Sequence, residues 1–123
     1  MRTDDQKQKI MGSIIARFNN EKCLNVERML SIMSNPIRFH ILCALAMDTF
    51  TVTELVYLTK GKVSNISQQL RIMTLAGYLA KERKGKQIYY SIADIRIIEL
   101  IHFLEHLFAE SESEKIKGEK INA

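Results

Sequence analysis

No apolar run in this chain approaches the roughly 18 to 20 residues needed to cross a bilayer, and the start MRTDDQKQKIMGS lacks the long apolar core of a secretion signal. Two cysteines in 123 residues are too few for a disulfide framework. Secretion and membrane anchoring drop out, and the expectation is a cytoplasmic protein. Chemistry is missing too. No nucleophile stands beside a base, no carboxylate pair has a catalytic spacing, and no glycine-rich loop could cradle a phosphate. Neither enzymatic activity nor a cofactor is expected. The body of the chain has no repeat and no low-complexity tract.

What is present is the composition of one ordinary domain, 46% hydrophobic and 26% charged. The formal charge is +4 and the sequence pI about 9.1. Its distribution says more than its total. Between Lys60 and Lys86 stand Lys60, Lys62, Arg71, Lys81, Arg83, Lys84 and Lys86 against Glu82 alone, a local +6 that leaves −2 for everything else. A basic region on a slightly acidic protein is the electrostatic footprint of phosphate binding.

The segments fall into three. Residues 1–20 read as an N-terminal arm or short helix, with Ile10, Ile14 and Phe18 at four-residue spacing and Asn19 and Asn20 to end it. Residues 21–109 form the main domain. Residues 110–123 are charged, with few apolar side chains, and are expected to fray.

Inside the main domain EKCLNVERMLSIM is a first helix. SNPIRFHILCALA begins a second, where Asn35 can cap and Pro36 suits the first helical position because its missing N–H has no partner there. TFTVTELVYLTKG opens with Thr51 and Glu54 spaced as a capping box, and Gly61 is read as its stop. KVSNISQQLRIM follows. It sets Ser64, Asn65, Ser67, Gln68 and Gln69 at the start of a helix whose Ile66, Leu70 and Met73 have core spacing. Two helices joined by a tight glycine-containing turn, the second polar in front and apolar behind, match a helix-turn-helix whose second helix enters the DNA major groove. A capped, exposed helix end with no partner would look similar, and the basic flank is what favours DNA.

YLAKERKGKQIYYSI reads as a hairpin about Gly85, with Ile88, Tyr90 and Ile92 alternating with Gln87, Tyr89 and Ser91. Its tip carries Arg83, Lys84 and Lys86, a wing whose charges would meet phosphates. The last helix, from the cap Asp94, is apolar over far more than one face. It therefore needs a second partner, most simply a symmetry mate.

In that order and spacing, LSIMSNPIRFHILCAL, TVTELVYLTKGKVSNISQQLRIMTLAGYL and KERKGKQIYYSI resemble the ArsR/SmtB family of winged-helix transcriptional repressors. The fold class expected is mainly α with a small β-hairpin wing (α+β). The resemblance implies a homodimer joined through the first and last helices, bound to an inverted-repeat double-stranded DNA operator and released by an inducer. Against the family's V-S-x-H-L motif stand Ile66, Ser67, Gln68, Gln69 and Leu70, so Gln69 replaces the usual histidine. The expected base-facing residues are Ser64, Asn65, Ser67, Gln68 and Gln69. The phosphate-facing ones are Lys62, Arg71, Arg83, Lys84 and Lys86.

The inducer is where the chain departs from the family. The segment ELVYL has no cysteine after E-L, and Asp94 is followed at two residues by Arg96, which cannot ligate a cation. His102 and His106, four apart, are weak candidates for a metal and read equally as exposed imidazoles. Cys43 stands where a redox-sensing subgroup of the family has one of its two reactive cysteines, and Cys23 could be its partner. Cys43 also reads as a small core residue. A thiol inducer is preferred to a metal. An alternative reading from another class is a winged-helix adaptor that binds protein and no DNA, which the salt dependence of DNA binding would discriminate.

Overall fold

Helix ends in this protein are set by side chains at fixed offsets. In the computed structural model, which describes residues 3–122 and side chains through residue 109, Thr3 and Gln6 form a capping box that opens α1 (Asp4–Phe18). Asn19 closes α1, and Asn20 has the opposite role: its Oδ1 accepts from the Cys23 amide at 2.8 Å and caps α2 (Glu21–Met33). These helices belong to the first of two compact units, divided between Asn35 and Pro36. None of the residues of α1 or α2 is buried. A helix pair of this size has no enclosed core of its own.

The second unit runs through α3 (Pro36–Leu45), α4 (Val52–Thr59), α5 (Val63–Leu75), β1 (Leu79–Lys84), β2 (Gln87–Ile92) and α6 (Ile95–Asn122). The Thr51–Glu54 capping box forms as expected, each side chain satisfying the other's backbone donor. The core is drawn from every element of the unit except β2: Ile41, Leu42 and Leu45 of α3, Leu55 of α4, Ile66, Leu70 and Met73 of α5, Leu79 of β1, Ile97 and Ile101 of α6. Burying the three α5 side chains is worth on the order of 5 kcal/mol. That anchors a helix of 13 residues, marginal if isolated, and leaves its outer face free to be chosen for something other than stability.

The α4–α5 turn differs from the expectation in one respect. Gly61 does not supply the left-handed residue that ends α4. Lys60 does, at φ 56°, and is the one non-glycine with positive φ among the described residues. Gly61 is needed instead because Ile66 passes close above it. The Thr59 hydroxyl ties the turn, donating to the Leu55 carbonyl at 2.7 Å and accepting from the Gly61 amide at 3.3 Å.

β1 and β2 pair antiparallel from Leu79↔Ile92 to Lys84↔Gln87. Gly85, at φ +65°, and Lys86 make a two-residue loop, the pattern of a type II′ turn with glycine first. Phe50 adds one bridge to Tyr90, through hydrogen bonds of 2.8 and 3.3 Å, and extends the sheet by one residue.

α6 runs as helix through Asn122, so the charged tail expected from residue 110 is helical in its backbone. Glu and Lys, which dominate that stretch, are good helix formers, and low hydrophobicity does not by itself end a helix already nucleated. The side chains of residues 110–123, whose weak packing is the ground for expecting that stretch to fray, lie outside the described residues, as does residue 123. No helix among the described residues is long and apolar enough to cross a membrane.

Candidate nucleic-acid interface

α5 divides by helical period, with the apolar Val63, Ile72 and Leu75 exposed at its margins. Ile66, Leu70 and Met73 are fully buried, and Ser64, Ser67, Gln68 and Arg71 lie together on the exposed side. The polar start is not a cap. The N-cap position is Lys62, whose side chain makes no capping hydrogen bond, and Ser64 and Asn65 sit inside the first turn. Capping of the helix end therefore does not account for these residues.

Asn65 and Gln69 lie beside that face and are half-buried. Gln69 is engaged at both ends of its amide. Its Oε1 accepts from Arg38 Nη1 at 3.1 Å, and its Nε2 donates to Asn65 Oδ1 at 3.1 Å. Gln69, expected among the base-facing residues, is thus a link between α3 and the start of α5. Arg38 is the residue that reasoning from the sequence misses. A signal for it exists: a single cation in the apolar stretch PIRFHILCAL is half-buried once that stretch is helical, and a partly buried arginine needs partners.

The wing stands next to the exposed face of α5. Arg71, Thr74 and Leu75 of α5 and Lys81 and Tyr90 of the hairpin line one cleft of about 310 Å³. Strand register puts Lys81 and Arg83 on the same sheet face as Tyr90 and Ile88, and Lys84 on the other. Lys84 Nζ lies 5.7 Å from the centre of the Tyr89 ring, which steadies the tip by a cation–π contact. Arg83 Nε donates to the Gly85 carbonyl at 3.3 Å, within the turn. Lys62, Arg83, Lys84 and Lys86 are exposed. Lys81, counted in the basic region but given no role, joins the cleft.

The other candidate residues are not gathered at this face. Cys43 of α3 is half-buried and lines a pocket of about 450 Å³ with His40, Met47 and Phe50. Burial, and next the negative charge of Glu105, push its thiol above the ordinary cysteine range. Cys23 is half-buried in the first unit, and both cysteines are free thiols. His102 and His106 are exposed on α6, and no group of three or more His, Cys, Asp or Glu among the described residues could hold a metal ion. Asp94 is occupied by Arg96: Oδ2 accepts from Nη2 at 2.7 Å, and Oδ1 from Nε at 2.9 Å and from the backbone amide at 3.1 Å. These bonds hold its carboxyl below the usual aspartate range.

Comparison with known proteins returns a consistent group. Residues 35–81 match the family described as bacterial regulatory protein, arsR family. The chain is 34% identical over 85 residues to an uncharacterized HTH-type transcriptional regulator, Rv0081, of Mycobacterium tuberculosis, covering 68% of this chain and 75% of that one. It is 29% identical over 102 residues to the biofilm growth-associated repressor of Agrobacterium fabrum, covering 83% and 87%. The crystal structure of Rv0081 superposes with a TM-score of 0.66 at 28% identity, over 80% of this chain and 99% of that one.

Proposed function

This chain belongs to the arsR family of bacterial regulatory proteins, and from that premise we propose that it is a sequence-specific, DNA-binding transcriptional repressor. The observation that carries the reading is the cleft shared by Arg71 of α5 and Lys81 of the wing. Arg71 belongs to the exposed face of α5 and Lys81 to the cationic hairpin, which supports reading the two against one duplex. Ser64, Ser67 and Gln68, with Asn65 at their edge, face base edges in a major groove. Lys62, Arg71, Arg83, Lys84 and Lys86 engage phosphates, which orient the protein without reading sequence.

The working form is a homodimer. α6 carries Phe103 and Leu107 one helical turn apart, both more than half exposed, on a face turned away from the buried Ile97 and Ile101. An apolar band of that kind on a small domain suits a twofold partner. Two copies would present their α5 helices about 34 to 36 Å apart, the spacing of successive major grooves, on an inverted-repeat operator. An inducer that changes the α6 contact would alter that spacing and release the DNA.

The test is selection from a pool of duplexes with a randomised core, followed by affinity measurement across a salt series. With about six phosphates neutralised, the dissociation constant should rise by roughly three decades between 50 and 200 mM salt. Replacing Lys84 or Lys86 by alanine should weaken binding to all sequences about equally and lower the salt slope by about 1 for each phosphate left without its cation. A protein that enriches no duplex is not a repressor of this kind.

A further inference from the structure

The Arg38–Gln69–Asn65 chain of hydrogen bonds has a fixed direction. A guanidinium has only donors, so the atom of Gln69 that meets Arg38 Nη1 is its carbonyl oxygen. The amide nitrogen of Gln69 is then the end that meets Asn65, and a nitrogen donor must be met by the Asn65 oxygen. Turning either amide over would set two donors or two acceptors against each other. The orientation of both amides follows from one arginine at 3.1 Å.

The consequence reaches the DNA-facing surface. Asn65 lies in the first turn of α5, beside the exposed Ser64, and its Oδ1 is engaged by Gln69. The oxygen and nitrogen of an amide diverge from one carbon, so with Oδ1 turned towards Gln69 the Nδ2 group is directed elsewhere.

We infer that Asn65 meets the base it faces through its Nδ2 donor, its oxygen being turned to Gln69, and that Arg38 and Gln69 are positioning residues that set this polarity. In the major groove guanine, adenine and thymine each offer an acceptor on their own edge, whereas cytosine offers only its amino donor. Asn65 therefore disfavours cytosine as the base it faces. This inference rests on the DNA-binding reading above and specifies which bases one residue of that surface accepts.

The experiment repeats the duplex selection with the full-length protein and with Gln69→Glu, Gln69→Met and Asn65→Ala. For the wild type, one position per half-site should disfavour cytosine by about fivefold or more. In Gln69→Glu the carboxylate still accepts from Arg38 but cannot donate. Asn65 then turns over, donates to the carboxylate and presents its oxygen, and cytosine becomes acceptable at that position while the rest of the consensus is kept. Gln69→Met removes both hydrogen bonds and should flatten the preference there, as should Asn65→Ala, and adding Gln69→Glu to Asn65→Ala should change nothing more. Loss of affinity with unchanged base preferences would mean that Gln69 is merely structural, and would overturn the inference. The two Gln69 variants act independently, so a folding failure of one leaves the other to decide. A wild type that enriches no sequence overturns the DNA-binding reading itself, a result distinct from either.

Discussion

A Cβ on Gly61 would stand 2.9 Å from Cδ1 of Ile66, closer than a real Cβ contact allows, and 3.1 Å from its Cγ1, tighter than most. Ile66 is fully buried and belongs to the helix proposed to enter the groove. The missing side chain at residue 61 thus sets how near α4 comes to α5, and with it how α5 is presented.

Gly61→Ala should destabilise the protein by about 1 to 3 kcal/mol, the usual cost of overpacking a filled core. Ile66 has no exposed side to retreat to. Urea unfolding measures the loss. An unchanged midpoint would show that the turn opens without cost.

Phe103 and Leu107 should decide the oligomeric state. Phe103→Glu with Leu107→Glu is expected to give a folded monomer by light scattering, with operator affinity reduced at least tenfold because one half-site is lost. A dimer persisting in the double variant would place the contact elsewhere.

Cys43 should be a slow nucleophile. Its thiol is pushed up first by burial and then by Glu105, so the thiolate is scarcer at neutral pH than for a free cysteine. In a Cys23→Ser background, alkylation of Cys43 should be slower than that of glutathione, and Glu105→Gln should speed it modestly by removing the smaller of the two causes. Alkylation faster than glutathione would favour Cys43 as a reactive sensor.

Asp94 should add an acid-sensitive increment of stability. Arg96 holds its carboxyl below the usual range, so the increment is fully present above the unfolded pKa, about 3.9, and is lost as pH falls through the lower folded value. Wild type and Arg96→Met should differ in Tm by a constant amount at neutral pH, and the difference should close in acid. Arg96 is largely exposed, so added salt should shrink it.

Much of this is legible in the residues themselves. The capping box at Thr51 and Glu54, the core spacing of Ile66, Leu70 and Met73, and the hairpin about Gly85 all depend on offsets of four residues or fewer, which local geometry fixes. Where local rules are ambiguous they mislead. Gly61 resembles a helix stop because glycine often is one, but its actual role depends on Ile66, five residues on in another helix. Asn20 resembles the end of α1 and is the cap of α2.

The sequence by itself determined the elements, their order, the buried face of α5 and the concentration of positive charge between Lys60 and Lys86, since each follows from periodicity, capping and composition. Only the tertiary structure decided that Arg71 and Lys81 line one cleft, and that Arg38 reaches across 31 residues to orient Gln69 and, through it, Asn65. The physical reason is that a hydrogen bond or a shared cleft between separate elements depends on how those elements pack, and packing is set by the whole core at once, whereas helix period and caps are set within a turn or two of the chain.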